Sequence, residues 1–261
     1  MTAIIQDIDG HAAGEVTMKQ NIYDDPVFFE RYSAMPRSVE GLRQAGEWHE
    51  LRAMLPELKG KSILDLGCGF GWHCRFAAEQ GARHVVGVDL SENMLRRAAE
   101  INGGPGIEYR RTAIEDIDFP RDSFDVVLSS LALHYVRDLD LVFAKVFAVL
   151  KSGGSFIFSI EHPVFTALEK QDWFYDDNGE ILHWPLDHYQ DVGVRHSNWM
   201  ADGVVKYHRT VSGILNELLA AGFALKRLAE PKPDPALIAQ REELKHEDRR
   251  PIFLVASAQK P

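Results

Sequence analysis

The pattern of hydrophobic residues changes from helical to strand-like near residue 59. Between Asp24 and Leu58 the apolar residues recur at helical spacing, and Pro36 separates two helices. Beyond this point short apolar runs of strand length alternate with amphipathic stretches of helical length. The predicted strands are Ser62–Gly67, His84–Asp89, Ile107–Arg111, Phe124–Ser130, Ser155–Ile160, Phe223–Leu228 and Pro251–Ala258. This alternation predicts an α/β fold, with a doubly wound parallel sheet covered by helices on both faces.

The ends of the predicted helices carry recognisable capping residues. Ser91 is a good N-cap, and Gly81 and Gly222 occupy the positions where a helix often ends in a left-handed residue. The helices predicted after the first strand are Gly71–Gln80, Ser91–Ile101, Leu139–Leu150 and Ser212–Ala221.

Three segments do not follow the alternation. Residues 1–20 show no period and are expected to be disordered, and residues 231–250 form a charged connection containing proline. Residues 162–209 hold Trp173, Trp184 and Trp199 together with several histidines and show little regular period. This last segment is predicted to be an insertion after the fifth strand.

Composition and charge narrow the class of protein. Of the 261 residues 45% are hydrophobic and 26% are charged, which are ordinary globular values. The formal net charge of -10 disfavours a nucleic-acid partner, because an acidic surface repels phosphate backbones. With two cysteines, no basic leader and no apolar stretch of about 20 residues, we expect a cytoplasmic protein without a membrane partner.

A glycine-rich loop between the first strand and its helix carries the main functional signal. It reads Asp65-Leu-Gly67-Cys-Gly69-Phe-Gly71-Trp72. Glycines allow a tight turn and a close approach of the backbone to a ligand, and the following helix N-terminus offers free N–H groups to an anion such as a carboxylate. Asp89 ends the next strand, where an acid accepts hydrogen bonds from ribose hydroxyls in dinucleotide-binding folds.

Two ligand classes and an ordinary strand-to-helix turn compete for this loop. A dinucleotide prefers G-x-G-x-x-G/A, whereas here Gly71 comes one position early and Trp72 fills the place of a small residue. Asp65 would repel a pyrophosphate but suits a cationic ligand. S-adenosylmethionine carries an ammonium, a sulfonium and a ribose without any phosphate, so the loop favours this ligand.

The chain resembles the class I S-adenosylmethionine-dependent methyltransferases, in particular the small-molecule type with the Asp-Leu-Gly-Cys-Gly-x-Gly motif. The resemblance runs from about residue 55 to 160 and returns at residues 216–223. The other matching motifs are Val86–Met94, Ala113–Pro120, Ser123–Val127, Leu131–Tyr135 and Leu150–Gly154. The resemblance implies a Rossmann-like, doubly wound, seven-stranded sheet of order 3-2-1-4-5-7-6 with strand 7 antiparallel. The implied organisation is an N-terminal extension and helical lid over residues 1–58 and a methyltransferase domain over residues 59–261, with a substrate-cap insertion at 162–209.

The resemblance also implies residues that bind S-adenosyl-L-methionine and its product S-adenosyl-L-homocysteine. The glycines would line the methionine part, Asp65 would face the ammonium and Asp89 would hold the ribose. Leu90 and Met94 would lie against the adenine, and the Ile114 backbone and Glu115 carboxylate would contact its edge. The full predicted set is Tyr23, Tyr32, Arg37, Asp65, Gly67, Gly69, Gly71, Asp89, Leu90, Met94, Ala113, Ile114, Glu115 and Ser129.

Some of these assignments have alternatives. Many relatives carry an acid in place of Ala113, so Glu115, Asp116 or the backbone could meet the adenine amino group instead. Arg37 could pair with the cofactor carboxylate or be a surface residue, and Tyr23 and Tyr32 could cover the site or only pack their helix.

The acceptor pocket is predicted to contain His134, Glu161, His162 and Tyr207. Among them His162 is the best candidate base, because the neighbouring carboxylate would raise its basicity. The tryptophans of the insertion would form apolar walls, or else a separate small core. No histidine pair has compact ligand spacing, so no metal site is predicted. The sequence leaves open an RNA or protein acceptor and a non-catalytic binding protein.

Overall fold

A computed structural model describes residues 20–241 and 244–261. The disorder expected for residues 1–20 falls almost entirely outside the described residues. The strands are β1 Ser62–Leu66, β2 His84–Asp89, β3 Ile107–Arg111, β4 Phe124–Ser130, β5 Leu150–Glu161, β6 Phe174–Tyr175, β7 Ile181–His183, β8 Gly193–Trp199, β9 Ala201–His208, β10 Ala224–Ala229 and β11 Phe253–Gln259. The α-helices are α1 Pro26–Ser33, α2 Pro36–Val39, α3 Trp48–Met54, α4 Trp72–Glu79, α5 Glu92–Asn102, α6 Leu139–Val149, α7 Pro163–Thr166, α8 Val211–Ala220 and α9 Pro235–Gln240.

The central sheet has seven strands in the order β10-β11-β5-β4-β1-β2-β3. The first five strands of the chain pair in parallel, and β11 runs antiparallel to both β5 and β10. Counted along this sheet the order is 3-2-1-4-5-7-6 with the last strand antiparallel, which confirms the predicted Rossmann-like fold. All five residues of β1 are buried, as expected for the central strand of a sheet covered on both faces.

Each face of the sheet has its own hydrophobic core. One core joins the sheet to α6 and α8 and includes Phe143, Val146, Phe156, Leu218 and Phe223. The other joins the opposite face to α3 and α4 and includes Leu51, Cys74, Val126, Ile157 and Val255. Both cysteines are buried and unpaired.

The predicted capping residues act as expected. The Ser91 hydroxyl accepts the N–H of Met94 at 3.1 Å and begins α5. Gly81 and Gly222 follow α4 and α8 with φ angles of +82° and +100°, which only glycine adopts at little cost.

The described part of the predicted N-terminal extension, residues 20–58, is called the N-terminal segment and lies against the glycine loop and α5. The Trp72 indole donates to the Ser38 carbonyl at 3.2 Å, and its ring lies so close to Gly41 that a Cβ there would approach to 2.7 Å. Trp72 therefore fills space between this segment and α4. On the other side, the Asp24 carboxylate accepts from the Ser91 hydroxyl at 2.6 Å and the Asn93 N–H at 3.0 Å, so it holds the segment to the start of α5.

The insertion has more regular structure than its sequence indicates. β6 pairs with β7, and β8 pairs with β9 in an antiparallel hairpin. The inward positions of β9 are Val204, Lys206 and His208, all buried. Because two of these three are polar, the usual alternation of apolar and polar residues is hidden in the sequence.

Gly71 provides a test of packing in the glycine loop. Its φ is +76° and a Cβ would lie 2.1 Å from the Tyr109 hydroxyl, whereas Gly60 has a similar φ of +75° with no atom within 4 Å. We expect Gly71→Ala to destabilise the fold by about 1–3 kcal/mol more than Gly60→Ala, because both changes strain the backbone and only the first overpacks the core. Urea unfolding of the two variants measures the difference, and equal losses would contradict it.

Candidate active site

The carboxyl ends of the central strands open into one cavity of about 610 Å³. This size is within the range of roughly 300–1,000 Å³ typical of small-molecule sites. The N-terminal segment, the β8–β9 hairpin and the start of β11 enclose it. The cavity-lining residues that the sequence predicted are Tyr23, Tyr32, Arg37, Gly67, Gly69, Asp89, Leu90, Met94, Ala113, Ile114, Glu115, His134, Glu161 and Tyr207.

The Asp89 carboxylate is held by two backbone groups. One oxygen accepts the Gly69 N–H and the other the Ser91 N–H, each at 2.9 Å. Burial raises the pKa of Asp89, while these two hydrogen bonds partly offset that rise. Each carboxylate oxygen has a second lone pair, so the group can still accept two hydroxyl donors from the cavity.

The glycine loop presents backbone to the cavity. At Gly67 (φ +71°) a Cβ would lie 2.5 Å from the Ala132 methyl group, so a side chain is excluded by packing. At Gly69 the nearest atom to a Cβ would be the Tyr32 hydroxyl at 3.9 Å, so a side chain would instead occupy the cavity. The two glycines therefore serve different purposes, and only Gly69 keeps ligand space open.

Arg37 enters the cavity beside this loop. Its guanidinium lies 3.1 Å from a carboxylate oxygen of Glu47, which also accepts the Ser130 hydroxyl at 3.2 Å. The Glu47 side chain is only 1% exposed, and its second oxygen has no hydrogen-bond partner among the described residues. Burial is the largest single effect and lowers the pKa of Arg37, but the charge and hydrogen bond of Glu47, together with Tyr32 and Tyr23, raise the pKa overall. Arg37 thus remains a fixed cation with donors facing the cavity.

An apolar part of the cavity lies beyond the carboxyl ends of β2 and β3. Leu90, Met94, Ala113 and Ile114 line it, together with Glu115. Lys145 of α6 donates to the Glu115 carbonyl and thereby fixes this turn. Such a slot suits a flat ring with a polar edge.

The other end of the cavity combines aromatic rings with a buried polar group. His134 and Glu161 face each other there, with the His134 Nε2 3.9 Å from a Glu161 oxygen. The Glu161 side chain also contacts the ammonium of Lys206 at 2.7 Å. Burial lowers the pKa of His134 to about 4, so its imidazole is neutral at pH 7.

Comparison with known proteins identifies the family. Residues 64–158 match a family model described as a methyltransferase domain. An S-adenosylmethionine-dependent methyltransferase from Mesorhizobium loti is 49% identical, with a TM-score of 0.78, over 84% of this chain and all of that one. A putative enzyme of the same kind from Listeria monocytogenes is 51% identical, with a TM-score of 0.80, over 85% of this chain and 99% of that one. The chain belongs to the S-adenosylmethionine-dependent methyltransferases.

Among curated proteins, one relative matches nearly the whole of this chain, and another matches less than half of it. An uncharacterised protein of Haemophilus influenzae is 34% identical over 93% of this chain and 98% of that protein. A ubiquinone biosynthesis O-methyltransferase of Hahella chejuensis is 40% identical, but over 41% of this chain and 45% of that protein. The chain thus spans less than half the length of this named relative.

The site geometry fits S-adenosylmethionine, the cofactor of this methyltransferase. The lone pairs of Asp89 suit two ribose hydroxyls, the open space at Gly69 suits an extended chain, and Arg37 provides a cation for a carboxylate. No phosphate is needed to satisfy these groups, which agrees with the sequence argument against a dinucleotide.

Of the predicted cofactor residues of the methyltransferase, Asp65, Gly71 and Ser129 do not line the cavity. Asp65 is 1% exposed and points behind the loop, where the Cys74 thiol donates to one carboxylate oxygen at 3.3 Å. Gly71 begins α4 and is kept free of a side chain by Tyr109. The structure does not bring Asp65 or Gly71 to the cavity, because each supports the loop from the side facing the core.

The predictions for Ser129 and His162 are corrected by the alternation of side chains along a strand. The Ser129 hydroxyl is buried and donates to the Leu66 carbonyl, whereas Ser130 faces the cavity. Similarly, Glu161 faces the cavity, while His162 points away, accepts the Val164 N–H and lies 2.8 Å from Glu230. His162 therefore caps α7 and cannot be the base.

The insertion supplies one cavity-lining tryptophan rather than three. Trp199, at the tip of the β8–β9 hairpin, lines the cavity. Trp173 and Trp184 instead surround the guanidinium of Arg250, whose carbon lies 5.0 and 4.0 Å from their ring centroids. Trp199 therefore forms an apolar wall of the cavity, whereas Trp173 and Trp184 belong to a separate small core.

Several cavity residues escaped the sequence analysis. Ile252 and Phe253 reach the site because β11 is antiparallel, so its first residue pairs with Glu161 at the carboxyl edge. That position follows from the predicted topology and could have been found. Tyr135, Ser130 and Phe165 carry no pattern that distinguishes them from packing residues.

Two structural findings are limited to the described parts of the chain. In residues 20–241 and 244–261 no group of three potential ligands is arranged to hold a metal ion. No helix within those ranges has the length and apolar character needed to cross a membrane.

The buried Asp65 should make stability depend on pH. Burial raises its pKa from 3.8 to about 7, so the unfolded chain releases this proton first and stability is lost as pH rises between these values. Asp65→Asn should remove this loss, worth up to about 4 kcal/mol above the folded pKa. Urea unfolding across that pH range measures it.

Asp125 provides a control of opposite sign for this measurement. Although burial raises its pKa, hydrogen bonds from the Ser62 N–H and Lys151 lower it overall. Asp125→Asn should therefore cost stability as pH rises through acid values. A parallel pH dependence of wild type and Asp65→Asn would contradict the assignment of Asp65.

Proposed function

We propose that this methyltransferase methylates a small molecule bound at the end of the cavity formed by His134, Glu161 and Tyr207. The observation that carries the proposal is the single continuous cavity, which joins these residues to the glycine loop and Asp89. A cofactor and an acceptor can therefore meet within it without a change of fold.

The cofactor end is assigned from the contacts described above. Asp89 would hold the ribose, Arg37 the carboxylate, and Gly67 and Gly69 the methionine chain. Leu90, Met94, Ala113, Ile114 and Glu115 would contact the adenine. When bound, S-adenosylmethionine supplies a methyl group activated by a sulfonium.

The chain itself contributes alignment and exclusion of water. Edge-to-face ring contacts join Tyr23 to Tyr32, and Tyr32 to Trp199 with ring centroids 6.3 Å apart. The N-terminal segment and the hairpin therefore close over the cavity together. Holding two reactants in line provides much of the rate gain in such displacements. Of the proton-accepting groups predicted for the acceptor end, Glu161 is the one that both faces the cavity and is ionised.

Names of partial relatives agree with a small acceptor. They include ubiquinone biosynthesis O-methyltransferases, such as that of Bradyrhizobium, which is 40% identical over 39% of this chain. The acidic net charge of -10 favours such an acceptor over RNA.

The experiment is transfer of a labelled methyl group from S-adenosylmethionine to a small-molecule extract, compared with transfer to RNA and protein fractions. Label in RNA or protein alone would contradict the proposal, and binding without any transfer would indicate a non-catalytic binding protein.

Asp89→Ala should weaken binding of S-adenosylhomocysteine by roughly 30- to 1,000-fold, on the scale of 2–4 kcal/mol for lost charged hydrogen bonds. Calorimetric titration measures the affinity. Asp118→Ala is the matched control, because Asp118 is an exposed acid outside the cavity. Unchanged affinity in Asp89→Ala would exclude the proposed ribose contact.

We also propose that the N-terminal segment is a lid, held by Asp24 at the start of α5. Although burial raises the pKa of Asp24, hydrogen bonds led by that from Ser91 lower it overall, so it is ionised at pH 7. Asp24→Ala should weaken S-adenosylhomocysteine binding about threefold to tenfold, as for a lost helix cap of about 1 kcal/mol. It should also speed amide exchange in α1.

Asp25 separates this lid effect from simple helix loss. It caps α1 itself, because its carboxylate accepts the N–H groups of Val27 and Phe28. Asp25→Ala should loosen α1 but change the affinity less than Asp24→Ala does. Equal effects of both changes would show that Asp24 does not hold the lid through its contacts with the start of α5.

A further inference from the structure

Lys206 is a buried cation at the acceptor end whose role the proposed function leaves open. Its side chain is 1% exposed, and its ammonium donates to Glu161 at 2.7 Å and to the Gln171 side-chain oxygen at 3.2 Å. The ammonium also lies 5.6 Å from the Trp199 ring centroid. Burying a charge is costly unless it is paired and hydrogen-bonded, and here those contacts meet that need.

The consequence of this contact is a permanently ionised Glu161. Burial raises the pKa of Glu161, but the neighbouring His134 and Lys206 lower it overall. Since His134 is neutral at pH 7, the Lys206 ammonium is the charge that keeps Glu161 ionised there. Lys206 and Gln171 leave lone pairs of the carboxylate free on the side that lines the cavity.

His134 provides a donor beside this acceptor group. Its Nδ1 accepts the backbone N–H of Glu161 at 3.5 Å, so in the neutral ring the proton sits on Nε2. Nε2 lies 3.9 Å from a Glu161 oxygen, which is longer than a hydrogen bond, so its N–H is not committed to that carboxylate. A bound molecule therefore meets one strong hydrogen-bond acceptor and one donor, surrounded by the aromatic side chains of Tyr135, Phe165 and Trp199.

The carboxylate at this end already has a counter-charge. Glu161 is neutralised by Lys206. Arg137 and Asp138 are exposed neighbours at the rim of the cavity. A charged acceptor placed among the aromatic rings would lose its hydration without gaining an unpaired counter-charge.

We infer that the acceptor is an uncharged molecule with a hydroxyl or amino hydrogen, that Glu161 accepts a hydrogen bond from that group, and that Lys206 is the positioning residue that keeps Glu161 charged and aimed at the cavity. This inference rests on the proposed function, since it assigns the chemistry of the same acceptor site.

The first experiment compares uncharged and charged probes of one ring size. Ligand-observed NMR on the protein saturated with S-adenosylhomocysteine measures binding of 4-methylphenol and 4-methylaniline against 4-methylbenzoate, phenyl phosphate and benzylammonium. The uncharged pair should bind at least about tenfold more tightly, because a buried unpaired charge costs several kcal/mol. Equal or tighter binding of a charged probe, or no binding of the uncharged pair, would overturn the inference.

The second experiment tests Lys206 by pH dependence. Without the ammonium, the pKa of Glu161 rises, so Lys206→Met should bind 4-methylphenol more weakly and lose further affinity as pH falls through the neutral range. Wild type should show no such fall. Besides Lys206, the charged or titratable groups that face Glu161 and His134 are Arg37, Tyr135, Tyr207 and Arg209, and all remain in this variant.

Two further variants separate a positioning role from loss of folding. Glu161→Gln with Lys206→Met removes both buried charges, so it should fold and bind 4-methylphenol without dependence on pH. Lys260→Met is the matched control, since Lys260 is a buried lysine paired with Asp122 at 2.8 Å outside the cavity. A pH dependence in Lys206→Met equal to that of wild type or Lys260→Met would overturn the role of Lys206. Calorimetric titration with S-adenosylhomocysteine on the same samples identifies a failure of the proposed function itself.

Discussion

The carboxylate of Asp89 connects the parts of the protein on which the site depends. By accepting the N–H groups of Gly69 and Ser91, it ties the glycine loop after β1 to the start of α5. Ser91 in turn donates its hydroxyl to Asp24, which extends the connection to the N-terminal segment. A ligand hydroxyl on Asp89 would therefore contact a group that already organises three segments of the chain.

At each end of the cavity, a charged side chain is paired with a buried residue of opposite charge. Arg37 is paired with Glu47 at one end, and Glu161 with Lys206 at the other. In each pair one member lines the cavity and the other is almost fully buried behind it. The buried partner compensates the charge of the cavity-facing group, and it also restricts the rotamers of that group. Removing either buried partner would leave an unpaired charge, which is more damaging than removing the pair.

The insertion after β5 has two separate parts with different roles. The β8–β9 hairpin brings Trp199, Val205 and Tyr207 to the cavity and Lys206 behind it. The segment with Trp173 and Trp184 packs around Arg250, just before β11. This aromatic and cationic cluster fixes the insertion to the end of the chain and so supports the side of the cavity that β11 begins. The same residue types thus serve binding in one part and anchoring in the other.

The sequence by itself determined the strands and helices of the sheet, and its resemblance to known methyltransferases implied the strand order. Short buried strands, capping residues such as Ser91 and the motif from Asp65 to Trp72 are local signals, because each depends on neighbours in the chain. Only the tertiary structure decided which side chains face the cavity. A shift of one residue separates Ser129 from Ser130 and Glu161 from His162, since successive side chains on a strand point to opposite faces. Lys206 and Glu47 were found only in the structure, because a buried charge is recognised by a partner that is distant in sequence and close in space.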